Sequence, residues 1–145
     1  MPEFKFVTLE KYPAEHIARL TINRPDRRNA LNDEATDEMG IALEDVADDD
    51  DIRVLIITGS GGSFCAGADL NTLRGGDNPG VLVSDNSDDI RRGFRGPHRM
   101  ILAVQRMEKP VIAMIDGVAV GAGFDLAAAC DIRIATPRAR FMVAY

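Results

Sequence analysis

The sequence predicts an α/β fold, because short apolar runs with strand composition alternate with segments of helical periodicity. The 145 residues are 46% hydrophobic and 28% charged, with a net charge of −6, which is typical of a soluble globular domain. A chain of this length can bury a core of its own. No internal repeat or linker divides it, so we expect one domain over residues 1–145.

The first half predicts a hairpin, a helix and a buried strand. Residues 4–9 and 16–22 are rich in β-branched and aromatic side chains and flank a Pro-containing turn, a pattern that favours a hairpin. Asn32 is the expected N-cap of a helix to about Ala47, since apolar residues then recur at three- and four-residue steps. Residues 54–58 are continuously apolar, which predicts a strand covered on both faces.

The middle of the chain predicts a loop followed by a helix. Residues 74–89 are rich in Gly, Asn, Asp and Ser, so we expect a mobile surface loop there. A helix is predicted over residues 97–107, where apolar residues share one face. Whether it begins earlier, near Asp88, stays open because Pro97 interrupts the run.

The last third predicts two further buried strands, residues 111–115 and 132–135. Between them, residues 117–123 are small and predict a loop, and residues 124–129 predict a short apolar helix. A loop of small residues also follows the strand predicted at residues 54–58. Small side chains let another backbone or a ligand come close, and a loop entering a helix leaves free N–H donors.

Two such donors aimed at one point would form an oxyanion hole for a carbonyl that gains negative charge. Tight packing of helix on sheet explains the same small residues equally well, so both interpretations stay open at this stage.

Charge and cysteine content exclude several functions. A net charge of −6 argues against a general nucleic-acid binder, which needs clustered Lys and Arg. No apolar run approaches the roughly 20 residues that span a bilayer, and the N-terminus lacks the pattern of a secretory signal. Cys65 and Cys130 have no Cys or His at metal-ligand spacing and are predicted to be buried small residues. We therefore expect a cytoplasmic protein without a metal site.

Several motifs resemble the enoyl-CoA hydratase/isomerase (crotonase) family, in family order and with family-like spacing. They cover nearly the whole chain, and together they are far more specific than any one of them. They are Asn-Arg-Pro at 23–25 with Asn-Ala-Leu-Asn at 29–32, Phe-Cys-Ala-Gly-Ala-Asp-Leu at 64–70, Lys-Pro-Val-Ile-Ala at 109–113, Gly-Ala-Gly-Phe-Asp-Leu at 121–126, and Cys-Asp-Ile-Arg-Ile-Ala at 130–135.

The resemblance implies a Clp/crotonase-like spiral of repeated β-β-α units, an acyl-CoA thioester as substrate, and homotrimers or dimers of trimers. No cofactor is implied beyond the coenzyme A of the substrate itself. In the family, two backbone N–H groups hold the thioester oxygen. The matching residues here are Ala68 and Ala122, where many members have Gly in place of Ala122.

The resemblance also suggests where coenzyme A would bind. The loop that supplies the first donor lies along the adenine and pantetheine in the family. Arginines that precede this loop are candidates for the phosphates, with solvated surface arginines as the equal alternative. The implied coenzyme A residues are Ala66, Ala68, Asp69, Leu70, Arg27 and Arg28.

The acid/base residues depart from the family pattern. Hydratases of the family use two glutamates, and Asp125 occupies the position of the first with a side chain one methylene shorter. Tyr145 occupies the position of the second, and a phenol with an ordinary pKa near 10 is a poor general base. Hydration, double-bond isomerisation and hydrolysis therefore all stay open.

Other catalytic arrangements have less support. His16 and His98 are the only histidines; we expect surface or structural roles for both, and nothing supports a nucleophilic pair of Cys130 with His98. Proteases of the Clp type place a serine nucleophile in a small-residue loop before a helix. Residues 120–126 contain no Ser, Thr or Cys, which excludes that reading.

The leading hypothesis is an acyl-CoA lyase or isomerase, and the rival is an inactive coenzyme A-binding or assembly protein of the same fold. Asp125 in an intact small-residue loop favours the enzyme, whereas Tyr145 favours the rival. Because residues 141–145 are almost wholly apolar, we also expect a fragment whose C-terminal helical part is absent.

Overall fold

The larger of two sheets has five strands and forms the centre of the molecule. The computed structural model describes residues 3–74 and 85–144. The strand order is β1-β2-β3-β4-β6; β1 and β2 are antiparallel, and the remaining neighbours are parallel. These strands are β1 (Val7–Tyr12), β2 (Ile17–Ile22), β3 (Val54–Gly59), β4 (Val111–Ile115) and β6 (Ile132–Ala135), with β5 (Val118–Val120) between the last two in the chain.

The smaller sheet pairs β5 in parallel with β7 (Arg140–Met142). Apart from a 3-10 turn at Pro25–Arg27, the described helices are α1 (Asp33–Ala47), α2 (Leu70–Arg74), α3 (Ser87–Gly93), α4 (Arg95–Arg106) and α5 (Ala122–Ala129).

Successive turns of the chain repeat one β-β-α pattern. The strands β1 and β2 precede α1, and β4 and β5 precede α5. After β3, a single bridge between Cys65 and Ala119 takes the place of a second strand. This arrangement confirms the predicted α/β spiral of β-β-α units.

The hydrophobic core lies between the larger sheet and the helices α1 and α4. The N-terminus of α1 is capped as predicted, because the side-chain oxygen of Asn32 accepts a hydrogen bond of 2.9 Å from the backbone N–H of Ala35. The apolar face of α1 then points inward every three or four residues, as its sequence period requires. The largest core side chains on these elements are Leu20, Ile22, Met39, Leu43, Val46, Leu55, Ile57, Met100 and Ile115.

The predicted hairpin is present, but its first strand begins later than expected. Before the strand, the backbone N–H groups of residues 5 and 6 donate to the carboxylate of Glu38 on α1 at 2.9 and 2.7 Å, and Val7 is the first residue that pairs with β2. The strand β1 therefore starts at Val7 and continues to Tyr12, three residues beyond the predicted end.

Helices occupy both ends of the loop predicted at residues 74–89, and the helix predicted after it starts earlier than residue 97. Arg74 closes α2, and the residues from Ser87 onward belong to α3; residues 75–84 lie outside the described part. The open question about an earlier helix is answered by two helices, α3 and α4, which meet at Phe94. Pro97 is tolerated because it lies in the first turn of α4, where its missing N–H costs no intrahelical bond.

The predicted loop at 117–123 contains a short strand. Residues 118–120 form β5 because both edges of this segment are paired: one with β7 and the other with Cys65. The following helix starts at Ala122 and not at Phe124.

The prediction of three fully buried strands is wrong for β6 and partly wrong for β3 and β4. Along β4, alternate residues are buried and their neighbours are half-buried or exposed, and β3 follows this pattern except that Ile57 and Thr58 are both buried. Among the described residues, the edge strand β6 pairs only with β4, and it is exposed throughout. Because Met114 pairs with Ile134 and Ile112 with Ile132, these four residues share one side of the sheet, which we call the β4–β6 face.

Candidate active site

The two small-residue loops are joined backbone to backbone. The N–H of Cys65 donates to the carbonyl of Val118 at 2.9 Å, and the N–H of Val120 donates to the carbonyl of Cys65 at 3.0 Å. This bridge fixes the loop after β3 against the segment that leads into α5. Two segments that are far apart in the sequence are thus held side by side.

A second bridge holds the first loop from its other side. The N–H of Leu31 donates to the carbonyl of Gly67 at 2.8 Å, and the N–H of Asp69 donates to the carbonyl of Leu31 at 2.8 Å. In a parallel bridge of this pattern, the N–H of Ala68 faces away from Leu31. No acceptor for this N–H is found within residues 3–74 and 85–144, so Ala68 presents an unused donor.

The loops approach each other so closely that two glycines are required. Gly67 has a φ of +97°, and a Cβ there would lie 2.7 Å from the carbonyl oxygen of Val120 and 3.6 Å from the nitrogen of Ala122. A Cβ at Gly123 would collide with the carbonyl oxygen of Cys65. The chain next to Ala68 therefore passes so close to the backbone at Val120 and Ala122 that no side chain fits between them.

Ala122 also presents an unused backbone donor. It is the first residue of α5, and the N–H groups in the first turn of a helix have no intrahelical partner. The described part of the chain supplies no other acceptor for it. The positive end of the α5 dipole adds to the attraction for negative charge at this point.

A buried ion pair positions the first loop. A guanidinium nitrogen of Arg24 lies 3.0 Å from the carboxylate of Asp69, and both side chains are only 11% exposed. The same carboxylate accepts a hydrogen bond from the N–H of Asn71 at 3.0 Å. The carboxylate of Asp69, a residue predicted to line the coenzyme A site, is thus bonded to other groups of the protein.

Asn29 completes the framework behind this loop. Its side chain is fully buried and donates to the carbonyls of Ser60 and Ser63 at 2.8 and 2.7 Å, while its oxygen accepts from the N–H of Arg24 at 2.9 Å. Sequence reasoning assigned no role to Arg24 or Asn29. The only signal was their place in the Asn-Arg-Pro and Asn-Ala-Leu-Asn motifs.

The other predicted coenzyme A residues lie at the rim of the loop. Leu70 is 61% exposed, and Ala66 donates its N–H to the carbonyl of Arg28 at 3.0 Å. The side chains of Arg27 and Arg28 are exposed. Arg27 lies 3.8 Å from the carboxylate of Asp26, and Arg28 makes no ion pair within the described residues.

Asp125 lies in an open cleft of about 600 Å³ between α4 and α5, a size that suits a small-molecule site. It follows Ala122 by three residues, so the two share a side of α5. The cleft is lined by His98, Ile101, Leu102 and Gln105 from α4 and by Asp125, Ala128 and Ala129 from α5. Tyr145, the other predicted catalytic residue, lies outside the described residues.

The two cysteines are unsuited to nucleophilic chemistry. Both are free and buried, which confirms the prediction from sequence. Burial raises the pKa of Cys65 to about 11 and that of Cys130 to about 12. The Cys130 thiol lies 3.2 Å from the carbonyl of Leu126, so it serves packing and donates within its own helix.

Within residues 3–74 and 85–144, no group of three or more His, Cys, Asp or Glu side chains is arranged to hold a metal ion. No helix in this part of the chain combines the length and apolar character needed to cross a membrane.

The fold is similar to that of solved enoyl-CoA hydratases. The enoyl-CoA hydratase of Mycobacterium smegmatis matches with a TM-score of 0.83 and 32% identity, over 94% of this chain and 50% of its own. The enoyl-CoA hydratase of Bacillus anthracis matches with a TM-score of 0.81 and 29% identity, over 95% and 50%.

Sequence comparison then gives the family. Residues 13–145 match the family described as "Enoyl-CoA hydratase/isomerase". The "Probable enoyl-CoA hydratase EchA14" of Mycobacterium tuberculosis is 41% identical over 88% of this chain and 46% of its own length. The 1,2-epoxyphenylacetyl-CoA isomerase of Escherichia coli is 40% identical over 100% and 52%. The chain belongs to the enoyl-CoA hydratase/isomerase family, and it spans about half the length of these curated relatives.

Proposed function

We propose that the protein is an acyl-CoA lyase or isomerase that acts on an enoyl-CoA thioester. The N–H groups of Ala68 and Ala122 hold the thioester oxygen, and Asp125 moves the proton. The observation that carries this proposal is the close approach of the two loops at Gly67, where no side chain fits between them. The residue after Gly67 carries one of the proposed donors, Ala122 carries the other, and Asp125 follows Ala122 by about one helical turn.

The chemistry needs stabilisation of an enolate-like intermediate. When water adds at the β-carbon, or when the α-proton leaves, negative charge develops on the thioester oxygen. Each preorganised N–H donor at such a position typically contributes about 10²- to 10³-fold in rate. The thioester itself acidifies the α-carbon, so the reaction requires no metal or redox cofactor.

The coenzyme A part of the substrate is proposed to follow the rim of the first loop. Ala66, Ala68 and Leu70 would contact it, and the exposed Arg27 and Arg28 would meet its phosphates as charge-assisted donors. Asp69 would act through the loop that it fixes.

The proposal extends to assembly and location. An apolar β4–β6 face suits burial in a homotrimer or a dimer of trimers. Two free thiols suit the reducing cytoplasm.

The test measures loss of enone absorbance when the full-length protein is incubated with short and medium enoyl-CoA thioesters. Asp125→Asn keeps the shape of the side chain but removes its base, so kcat should fall by about 10²- to 10⁴-fold. Affinity for coenzyme A should stay within about threefold of wild type. Asp50→Asn makes the same change on the surface and should leave turnover unchanged.

Two outcomes would contradict the proposal. Wild-type protein that binds coenzyme A but converts no thioester would identify an inactive coenzyme A-binding or assembly protein. Full activity in Asp125→Asn would move the proton transfer to another residue.

A further inference from the structure

The cleft that contains Asp125 also contains an imidazole, and we propose that His98 is a second acid/base residue of the same reaction. This inference rests on the proposed acyl-CoA chemistry. Asp125 can remove one proton, and His98 would deliver the other proton, which goes to the α-carbon.

His98 lies on the wall of α4 that faces Asp125. The cleft-lining residues of α4 are His98, Ile101, Leu102 and Gln105, and this spacing of three and four residues places all of them on one face of the helix. From α5, Asp125 faces them together with Ala128 and Ala129. One carboxylate and one imidazole thus border the same space from opposite helices.

The ring of His98 is held in place by stacking, and its nitrogens make no hydrogen bond to the described residues. It stacks on Phe94 at a centroid distance of 5.9 Å and an interplanar angle of 21°. No side chain or carbonyl within residues 3–74 and 85–144 bonds its ring nitrogens. His16, in contrast, has its Nδ1 2.7 Å from the carbonyl of Asp51 and lines no part of the cleft.

Four of the seven residues that line the cleft are apolar. Ile101 and Leu102 on one side and Ala128 and Ala129 on the other suit the hydrocarbon part of an acyl chain. An acyl group bound in this cleft would share it with both His98 and Asp125.

Addition of water needs one proton removed and one delivered. As the water oxygen bonds to the β-carbon, the Asp125 carboxylate takes a proton from the water. The electron pair of the C=C bond moves onto the α-carbon and the thioester oxygen. The His98 imidazolium then gives its proton to the α-carbon, and the proton on Asp125 returns to His98 through water in the cleft. The product has gained one water, and both side chains are restored.

The experiment compares His98→Gln with His16→Gln in the full-length protein, using the best enoyl-CoA thioester of the wild type. Gln keeps polar atoms and approximate size but cannot carry a proton between partners. We expect His98→Gln to lower kcat about 100-fold or more with KM within about threefold, because acid/base groups typically contribute 10²- to 10⁴-fold. His16→Gln should retain wild-type kcat.

Unfolding midpoints of both variants establish that they are folded, and His98 is exposed, so its substitution should not disturb the core. A kcat of His98→Gln within threefold of wild type, or a loss confined to KM, overturns the role of His98. The proposed function would still stand after that result if Asp125→Asn is inactive. If the wild-type protein converts no thioester, the proposed function itself is wrong.

Discussion

Ala122 shows why small residues dominate the candidate site. The group that it offers is a backbone N–H, so the side chain only has to stay out of the way. Gly121 before it has a φ of 52°, and Gly67 beside it allows the other loop to approach. The donor therefore depends on the shape of the chain around it more than on its own side chain.

Replacing Ala122 with proline should remove this donor while keeping the helix. Proline is favoured at the first position of a helix, where its missing N–H costs no intrahelical bond. We expect Ala122→Pro to lower kcat by about 10²- to 10³-fold with little change in the unfolding midpoint. Ala122→Gly retains the N–H and should remain active in the same absorbance assay. Equal activity of Ala122→Pro and Ala122→Gly would contradict the donor assignment.

The candidate donors could be predicted from sequence, but their supporting residues could not. Small residues after apolar runs marked both loops, and the family motifs pointed to Ala68 and Ala122. The partner of Asp69 was not predictable, because Arg24 reaches it through a contact between distant segments. Local sequence holds no signal for such a pair.

At the scale of elements, Asn29 ties the connection between β2 and α1 to the turn after β3. Its buried amide satisfies three backbone groups at once, and its own φ of 59° suits Asn better than most residues. These bonds place the loop at residues 65–69 before any substrate is present. The geometry of the site therefore depends on a residue that does not line the cleft.

Asn29→Ala should destabilise the protein markedly. It leaves two carbonyls and one N–H in a partly buried setting without these partners, and an unsatisfied group costs about 1–3 kcal/mol when buried. We expect the free energy of unfolding to fall by about 2–4 kcal/mol, measured by urea denaturation. Asn23→Ala, at an exposed position, should change it by less than about 0.5 kcal/mol. A similar small effect at Asn29 would show that the turns are held by other contacts.

The errors in element prediction have a common physical cause. The helix α1 and the strands β3 and β4 were predicted closely because apolar periodicity is local. The strand β5 was missed because residues 118–120 become a strand only by pairing with residues distant in sequence. The burial of β6 was overestimated because an apolar run records a preference for burial and does not reveal which neighbour supplies it.

At the scale of the whole molecule, the β4–β6 face exposes three neighbouring large apolar side chains. Ile132 and Ile134 are 49% and 58% exposed, and Met114 beside them is 42% exposed. In the smaller sheet, Phe141 and Met142 are also exposed, at 49% and 58%. Contiguous apolar surface of this kind marks an interaction site or a tendency to aggregate.

The 145-residue chain produced alone should therefore self-associate. Sedimentation velocity should show species larger than a monomer, and Ile134→Lys should shift them toward the monomer by placing a charge on the β4–β6 face. Ile41→Lys, at a 45% exposed position on α1, is the matched control and should have no such effect. A soluble, monodisperse monomer of the unmodified chain would show that this expectation is wrong.

The bridge from Leu31 to the loop at residues 65–69 also links the free energy of detaching the N-terminal segment to the free energy of ligand binding. The segment around Leu31 supports the loop from the N-terminal side, so any fluctuation that detaches this segment releases the loop as well. A ligand that binds only the ordered loop must, by reciprocity, strengthen the attachment of the N-terminal segment. Substitutions in the hairpin β1–β2 that loosen this segment would then weaken ligand affinity without altering a single contact to the ligand.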